Sequence, residues 1–107
     1  MPQADLYFTT DQTVPATEAL AAIERIIAAF DSGAGQCKGR AHPVADHHHS
    51  HVLLRLSMLP KAHRDDAYAA ELGRQLGEVL RPFVKAPCAM AVNIAFDLKN
   101  YTVVKVE

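Results

Sequence analysis

The stretch HVLLRLSMLP, residues 51–60, places Val52, Leu54, Leu56 and Met58 on one side and Leu53, Arg55 and Ser57 on the other. That period of two is the mark of a strand with one buried face. Pro60 ends it, since proline has no N–H to give a ladder. The strand is the most apolar of the chain, and the fold builds outward from it.

Toward the C-terminus, RDDAYAAELGRQLGEVLRPFV predicts a helix over about 64–81, with Leu72, Leu76, Val79, Leu80 and Phe83 along its buried side. Gly73 and Gly77 fall within it, each costing up to about 1 kcal/mol of helix propensity against alanine. Close packing against a sheet would compensate. Met90–Leu98 alternates again, Val92, Ile94, Phe96 and Leu98 against Ala91, Asn93, Ala95 and Asp97, and TVVKV at 102–106 suggests a last short strand.

Toward the N-terminus, DHHHS closes a polar connection, HPVADHHHS, with no apolar period, and Cys37–Ala41 suggests a short strand. DSGAGQ, residues 31–36, is a glycine-rich stop. Before it, Leu20, Ile23, Ile27 and Phe30 recur at helical spacing behind Thr13, Pro15 and Thr17. QADLYFT at 3–9 is a strand with Ala4, Leu6 and Phe8 facing one way and Gln3, Asp5 and Tyr7 the other.

The order is β-α-β-β-α-β, an α+β domain spanning 1–107: a four-stranded sheet, two helices on one face, and the short C-terminal strand. A non-catalytic ferredoxin-like binding or oligomerisation module shares that order. The second sheet face carries Asp5, Tyr7, Arg55, Asn93 and Asp97. Such a face meets water or other copies of the chain, where Arg55 could pair with Asp5 or Asp97.

The 107 residues are 50% apolar and 21% charged with net charge −1, which gives no electrostatic case for nucleic acid or an anionic membrane. No segment approaches the roughly 18 apolar residues of a membrane span, and no basic-then-apolar leader opens the chain. Cys37 and Cys88 fit no CxxC or metal spacing. A cytoplasmic, reduced protein is the expectation.

DHHHSH, residues 46–51, is the most conspicuous motif. In an extended segment His47, His49 and His51 point the same way and could hold zinc or nickel. A solvated loop is the commoner outcome for adjacent histidines, and lining a pocket is a third. Arg40 and Arg64 read either as surface ion-pair partners or as a bidentate grip on a carboxylate.

Pro2 stands directly ahead of the first strand. It is either a tolerated edge residue or, once Met1 is trimmed as methionine commonly is ahead of a small residue, a free secondary amine able to act as a base.

Met-Pro at the start, KGRAH at 38–42, an arginine opening the second helix, LGRQLGEVLRPF at 72–83 and MAVNIAFDL at 90–98 occur in an order that resembles the 5-carboxymethyl-2-hydroxymuconate isomerases of the tautomerase superfamily. The resemblance implies a homotrimer with helices outside and sheets around a central core. It implies that Pro2, freed of Met1, is the catalytic base. It also implies that Arg40 and Arg64 hold a small acidic substrate, with Lys38 where the family often has a second arginine. Lysine there keeps the charge and loses the planar fork. The histidine-rich stretch 46–51 does not follow from the family pattern.

The implied reaction moves a proton between positions of an unsaturated 2-hydroxy or 2-oxo acid and needs no cofactor. The base works best with a pKa near ambient pH, and burial and nearby cations both lower an amine's pKa. Leu6, Phe8 and Phe96, with Lys38, Arg40 and Arg64, are the residues expected to supply these effects.

Overall fold

Leu6 and Leu54 lie opposite each other where two central strands run antiparallel, and each strand begins one strand-helix-strand unit. The computed structural model describes residues 1–107. The first unit is β1 (Gln3–Thr9), α1 (Ala16–Phe30) and β2 (Lys38–Val44). The second is β3 (His51–Ser57), α2 (Asp66–Leu80) and β4 (Ala89–Ala95), with a short 3-10 turn, Arg81–Phe83, after α2. Both units run 7, 15 and 7 residues, an internal repeat carried by element length rather than by residue identity.

The four-stranded sheet has the order β2-β1-β3-β4. Within each unit the strands are adjacent and parallel. A ferredoxin-like sheet would instead set a strand between the two of each unit, so that layout is excluded.

The apolar alternation seen in the sequence decides which face is covered. Ala4, Leu6, Val52, Leu54 and Leu56 point toward the helices and are at most 2% exposed. They meet Ala19, Ile23 and Ile27 of α1 and Leu72, Leu76 and Leu80 of α2 in one core. Complete burial of a leucine or isoleucine contributes about 1.5 to 3 kcal/mol, so this layer dominates stability. The opposite face is bare in the single chain, and Arg55 and Asn93 stand exposed on it.

Several boundaries differ from the sequence expectation. β2 continues through His42, Pro43 and Val44, because β1 offers pairing positions as far as Thr9↔Val44. Pro43 is tolerated because β2 is an edge strand. α2 begins only at Asp66: the carboxylate of Asp65 accepts the Tyr68 N–H at 2.9 Å, which makes Asp65 the N-cap and leaves Arg64 in the preceding loop.

β3 and β4 end earlier as regular strands, although Met58 N–H still reaches Ala95 O at 2.9 Å and Leu98 N–H reaches Met58 O at 3.3 Å. Residues 102–106 form no strand. No ladder partner reaches them, and Val104 and Val106 are 75% and 94% exposed.

The two helical glycines do not serve a close approach. A methyl group on Gly73 would meet Ile94 at an ordinary 3.8 Å, and one on Gly77 would meet nothing within 4 Å. The tight glycine is Gly39 in β2, where a methyl group would lie 3.1 Å from Leu20 Cδ2.

Candidate active site

The register puts the starts of β1 and β2 and the ends of β3 and β4 at one end of the sheet, through Gln3↔Lys38, Gln3↔Ser57 and Ser57↔Ala95. Pro2 is buried there, ahead of a central strand, and its carbonyl accepts the Lys38 N–H at 2.9 Å. Met1 lies outside the ladder. Its side chain rests against Gly35, which turns with φ +78, and its carbonyl oxygen lies 3.4 Å from the Tyr101 hydroxyl.

Three polar side chains radiate from this point along the bare face. Gln3 Nε2 donates to the Tyr101 hydroxyl oxygen at 2.6 Å. Arg40 donates to Gln3 Oε1, to Asp5 Oδ2 at 3.1 Å and to Lys38 O at 2.9 Å. Asp5 Oδ1 lies 2.7 Å from His42 Nε2, and the His42 ring stacks on Tyr7 with centroids 4.6 Å apart. Burial alone would raise the Asp5 pKa, but the hydrogen bonds from His42 and Arg40 outweigh it and lower the pKa. Lys38 is exposed, its Nζ 3.0 Å from Gln36 Oε1.

Arg64 lies at the same end of the sheet but on its helix-covered side, in the loop between β3 and α2. Its side chain is 2% exposed, Nε and one terminal nitrogen both 3.1 Å from Asp31 Oδ2, the other 2.7 Å from Leu59 O. The same Asp31 oxygen accepts the Tyr68 hydroxyl at 2.8 Å and lies 3.0 Å from His63 Nε2. Burial would raise Asp31, but hydrogen bonds from His63, Tyr68 and Arg64 hold it far below the usual carboxylate range. Burial and its hydrogen bond to Asp31 push Tyr68 up to about 12. Asp31 ends α1 and Arg64 precedes α2, so the pair ties the two helical units together on the covered side of the sheet.

The structure therefore brings Pro2, Lys38 and Arg40 to one sheet end and directs Arg64 inward to Asp31. Of the apolar residues expected around Pro2, Leu6 is in the core. Phe8 pairs with Val52 toward the far end of β1, roughly 20 Å from Pro2 at strand rise. Phe96 follows β4 at the Pro2 end.

Tyr101, Gln3 and Asp31 escaped the sequence reading. Gln3 was on the polar side of its strand, but nothing in the spacing linked it to a tyrosine 98 positions away.

Of the histidines expected to face together, His47 and His51 meet edge to face with ring centroids 6.4 Å apart, but His49 does not join them. His49 has φ 64, which turns the chain out of the extended form. His47 Nε2 lies 3.7 Å from Asp11, while His48 and His49 pack ring on ring at 4.0 Å. No group of three His, Cys, Asp or Glu side chains converges on a metal position. Burial and the nearby Glu24 push the Cys37 thiol up to about 11. The largest concavity, about 430 Å³ between α2 and β4, is lined by Gly73, Gly77, Met90 and Val92 among others, and by none of the expected site residues. No helix is long and apolar enough to cross a membrane.

No protein-family model and no curated protein matches the sequence. Solved structures do. A 5-carboxymethyl-2-hydroxymuconate isomerase from Deinococcus radiodurans R1 superposes with a TM-score of 0.74 at 20% identity, over 99% of this chain and 90% of that one. A 5-carboxymethyl-2-hydroxymuconate delta-isomerase gives 0.63 at 12% identity, over 97% and 89%. A fused 4-OT in a symmetric trimer gives 0.69 at 14% identity, over 86% and 82%. The chain has the tautomerase-like fold of these isomerase structures.

Proposed function

We propose that the protein is a cofactor-independent isomerase that moves a proton within an unsaturated 2-hydroxy or 2-oxo carboxylic acid of the muconate type, with Pro2 as base after removal of Met1. The observation that carries this reading is the position of Pro2, buried beside a central strand and fixed through its carbonyl. Met1 contributes no ladder bond, so its loss leaves β1 intact.

In the reaction, the Pro2 nitrogen takes the hydroxyl proton of a dienol. The O–H bond breaks, an N–H bond forms and a C=O forms. The displaced electron pair shifts through the conjugated chain, and the proton passes from nitrogen to a distal carbon as a C–H bond. Only a base and groups that stabilise the dienolate are required. An apolar setting around the freed amine, and positive charge on the adjoining start of β2, would favour its neutral form.

Lys38 and the exposed edge of Arg40 take the substrate carboxylate. Arg64, which would have to leave Asp31 to reach a ligand, shapes the loop instead. The bare sheet face becomes the core of a homotrimer, in keeping with the symmetric trimers among the structures of the same fold. The enzyme is cytoplasmic on this reading.

Intact mass of untagged protein, taken with turnover of phenylenolpyruvate and 2-hydroxymuconate, tests the proposal. Loss of one methionine, turnover of either acid and its abolition in Pro2→Ala support it. Retention of Met1, or a trimmed chain indifferent to Pro2→Ala, overturns it in favour of a non-catalytic small-molecule-binding role on the same fold.

A further inference from the structure

We infer that Tyr101 is a second catalytic residue, whose hydroxyl donates a hydrogen bond to the substrate oxygen as that oxygen becomes an enolate. The inference rests on the proposed proton transfer at Pro2 and adds the group that receives the developing charge.

The geometry begins with the Met1 carbonyl. It is a carbonyl group joined directly to the Pro2 nitrogen, and so marks the space in front of that nitrogen once Met1 is gone. The Tyr101 hydroxyl lies 3.4 Å from its oxygen. A substrate whose enol oxygen sits within reach of the Pro2 nitrogen therefore also faces the Tyr101 hydroxyl.

The direction of the hydroxyl proton is set by a chain of partners. Arg40 has only donors, so the amide oxygen of Gln3 must face Arg40. That leaves Gln3 Nε2 facing Tyr101, to which it donates at 2.6 Å. The Tyr101 oxygen is thus an acceptor toward Gln3, and its own proton is free to point at the space before Pro2. Asp5 anchors the other end of the chain through Arg40 at 3.1 Å. Gln3 is a positioning residue in this arrangement, acting through Tyr101, while Arg40 fixes Gln3 with one part of its guanidinium and keeps its exposed edge for the substrate.

A donor aimed at a developing oxyanion stabilises the transition state more than the ground state, and removing one typically lowers kcat by about a hundredfold or more. No atom is transferred from Tyr101: the proton that leaves the enol oxygen is carried by Pro2 and returns to carbon.

The test measures phenylenolpyruvate ketonisation by protein trimmed to Pro2, with thermal unfolding as a check on each variant. Tyr101→Phe is expected to lower kcat about a hundredfold while KM changes by less than about threefold, the pattern of an interaction made only in the transition state.

Gln3→Glu supplies the second arm. It keeps an acceptor for Arg40 but presents a second acceptor to Tyr101, turning the hydroxyl proton away from the substrate. It should lose kcat to a similar extent, and the double variant should lose little more than either single one.

An active wild type with Tyr101→Phe unchanged, or changed in KM alone, overturns the assignment and leaves the Pro2 reading standing. Additive losses in the double variant overturn the chain through Gln3. A trimmed wild type that does not turn over the acid overturns the Pro2 reading and the role of Tyr101 together.

Discussion

Arg64 meets Asp31 through a single carboxylate oxygen, with Nε and a terminal nitrogen each 3.1 Å away, and both side chains are nearly closed to solvent at 2% and 9% exposed. The pair spans the end of α1 and the approach to α2. An arginine that reads in sequence either as an ion-pair partner or as a ligand grip is here ion-paired between the two repeat units.

Asp31→Ala leaves the Arg64 guanidinium buried without its counterion, and removing one partner of a buried pair typically costs about 3 to 5 kcal/mol. Urea unfolding at pH 7 measures the loss. The acid limb follows from the same contact. Hydrogen bonds lower the Asp31 pKa in the folded state against the opposing effect of burial. Its contribution is therefore complete above the unfolded value of about 4 and is lost as pH falls toward the depressed folded one. Between about pH 5 and pH 2 the wild type should lose stability more steeply than Asp31→Ala.

Two glycine substitutions should act in opposite directions. Gly77→Ala adds a methyl group where nothing lies within 4 Å and should stabilise the protein by about 0.5 to 1 kcal/mol through helix propensity. Gly39→Ala places its methyl group 3.1 Å from Leu20 Cδ2, and overpacking of this kind costs about 1 to 3 kcal/mol. Thermal unfolding of the two variants side by side gives the signs.

Lys38 is exposed, with only Gln36 near its ammonium, so its removal should leave folding intact. On the proposed function, Lys38→Ala should raise KM about tenfold, equivalent to about 1.4 kcal/mol, with kcat nearly unchanged. Lys38→Arg should retain or improve substrate binding by offering two parallel donors. Steady-state kinetics with phenylenolpyruvate checks both.

Arg55 lies opposite Asp5 on the bare sheet face. Arg55→Glu would set two acids across from one another, which is unfavourable in a strand pair and more so in an enclosed assembly. Sedimentation equilibrium should find a trimer for the wild type and a smaller species for the variant, with helical circular dichroism retained. A wild type that sediments as a monomer would remove the trimer from the proposal.

Most of the secondary structure was legible because it follows from local periodicity. Val52, Leu54 and Leu56 announce a half-buried strand to any neighbour, and Leu72, Leu76 and Leu80 announce a helix face. The boundaries that moved are those set by a partner. β2 lengthens through Pro43 because β1 continues beside it, α2 shortens because Asp65 caps it, and 102–106 stays irregular for want of a strand to join. The histidine alternation failed for a local reason: His49 leaves the extended conformation on which it depended.

The sequence by itself determined the apolar face of each element, the order of the elements and the place of Pro2 ahead of the first strand, since these depend on residues a few positions apart. The tertiary structure alone decided how the strands pair, that Arg64 turns inward to Asp31, and that Tyr101 meets Gln3 across 98 positions. A hydrogen bond acts over about 3 Å, and the chain can bring such distant groups to that distance only after packing of the apolar faces has fixed the sheet order.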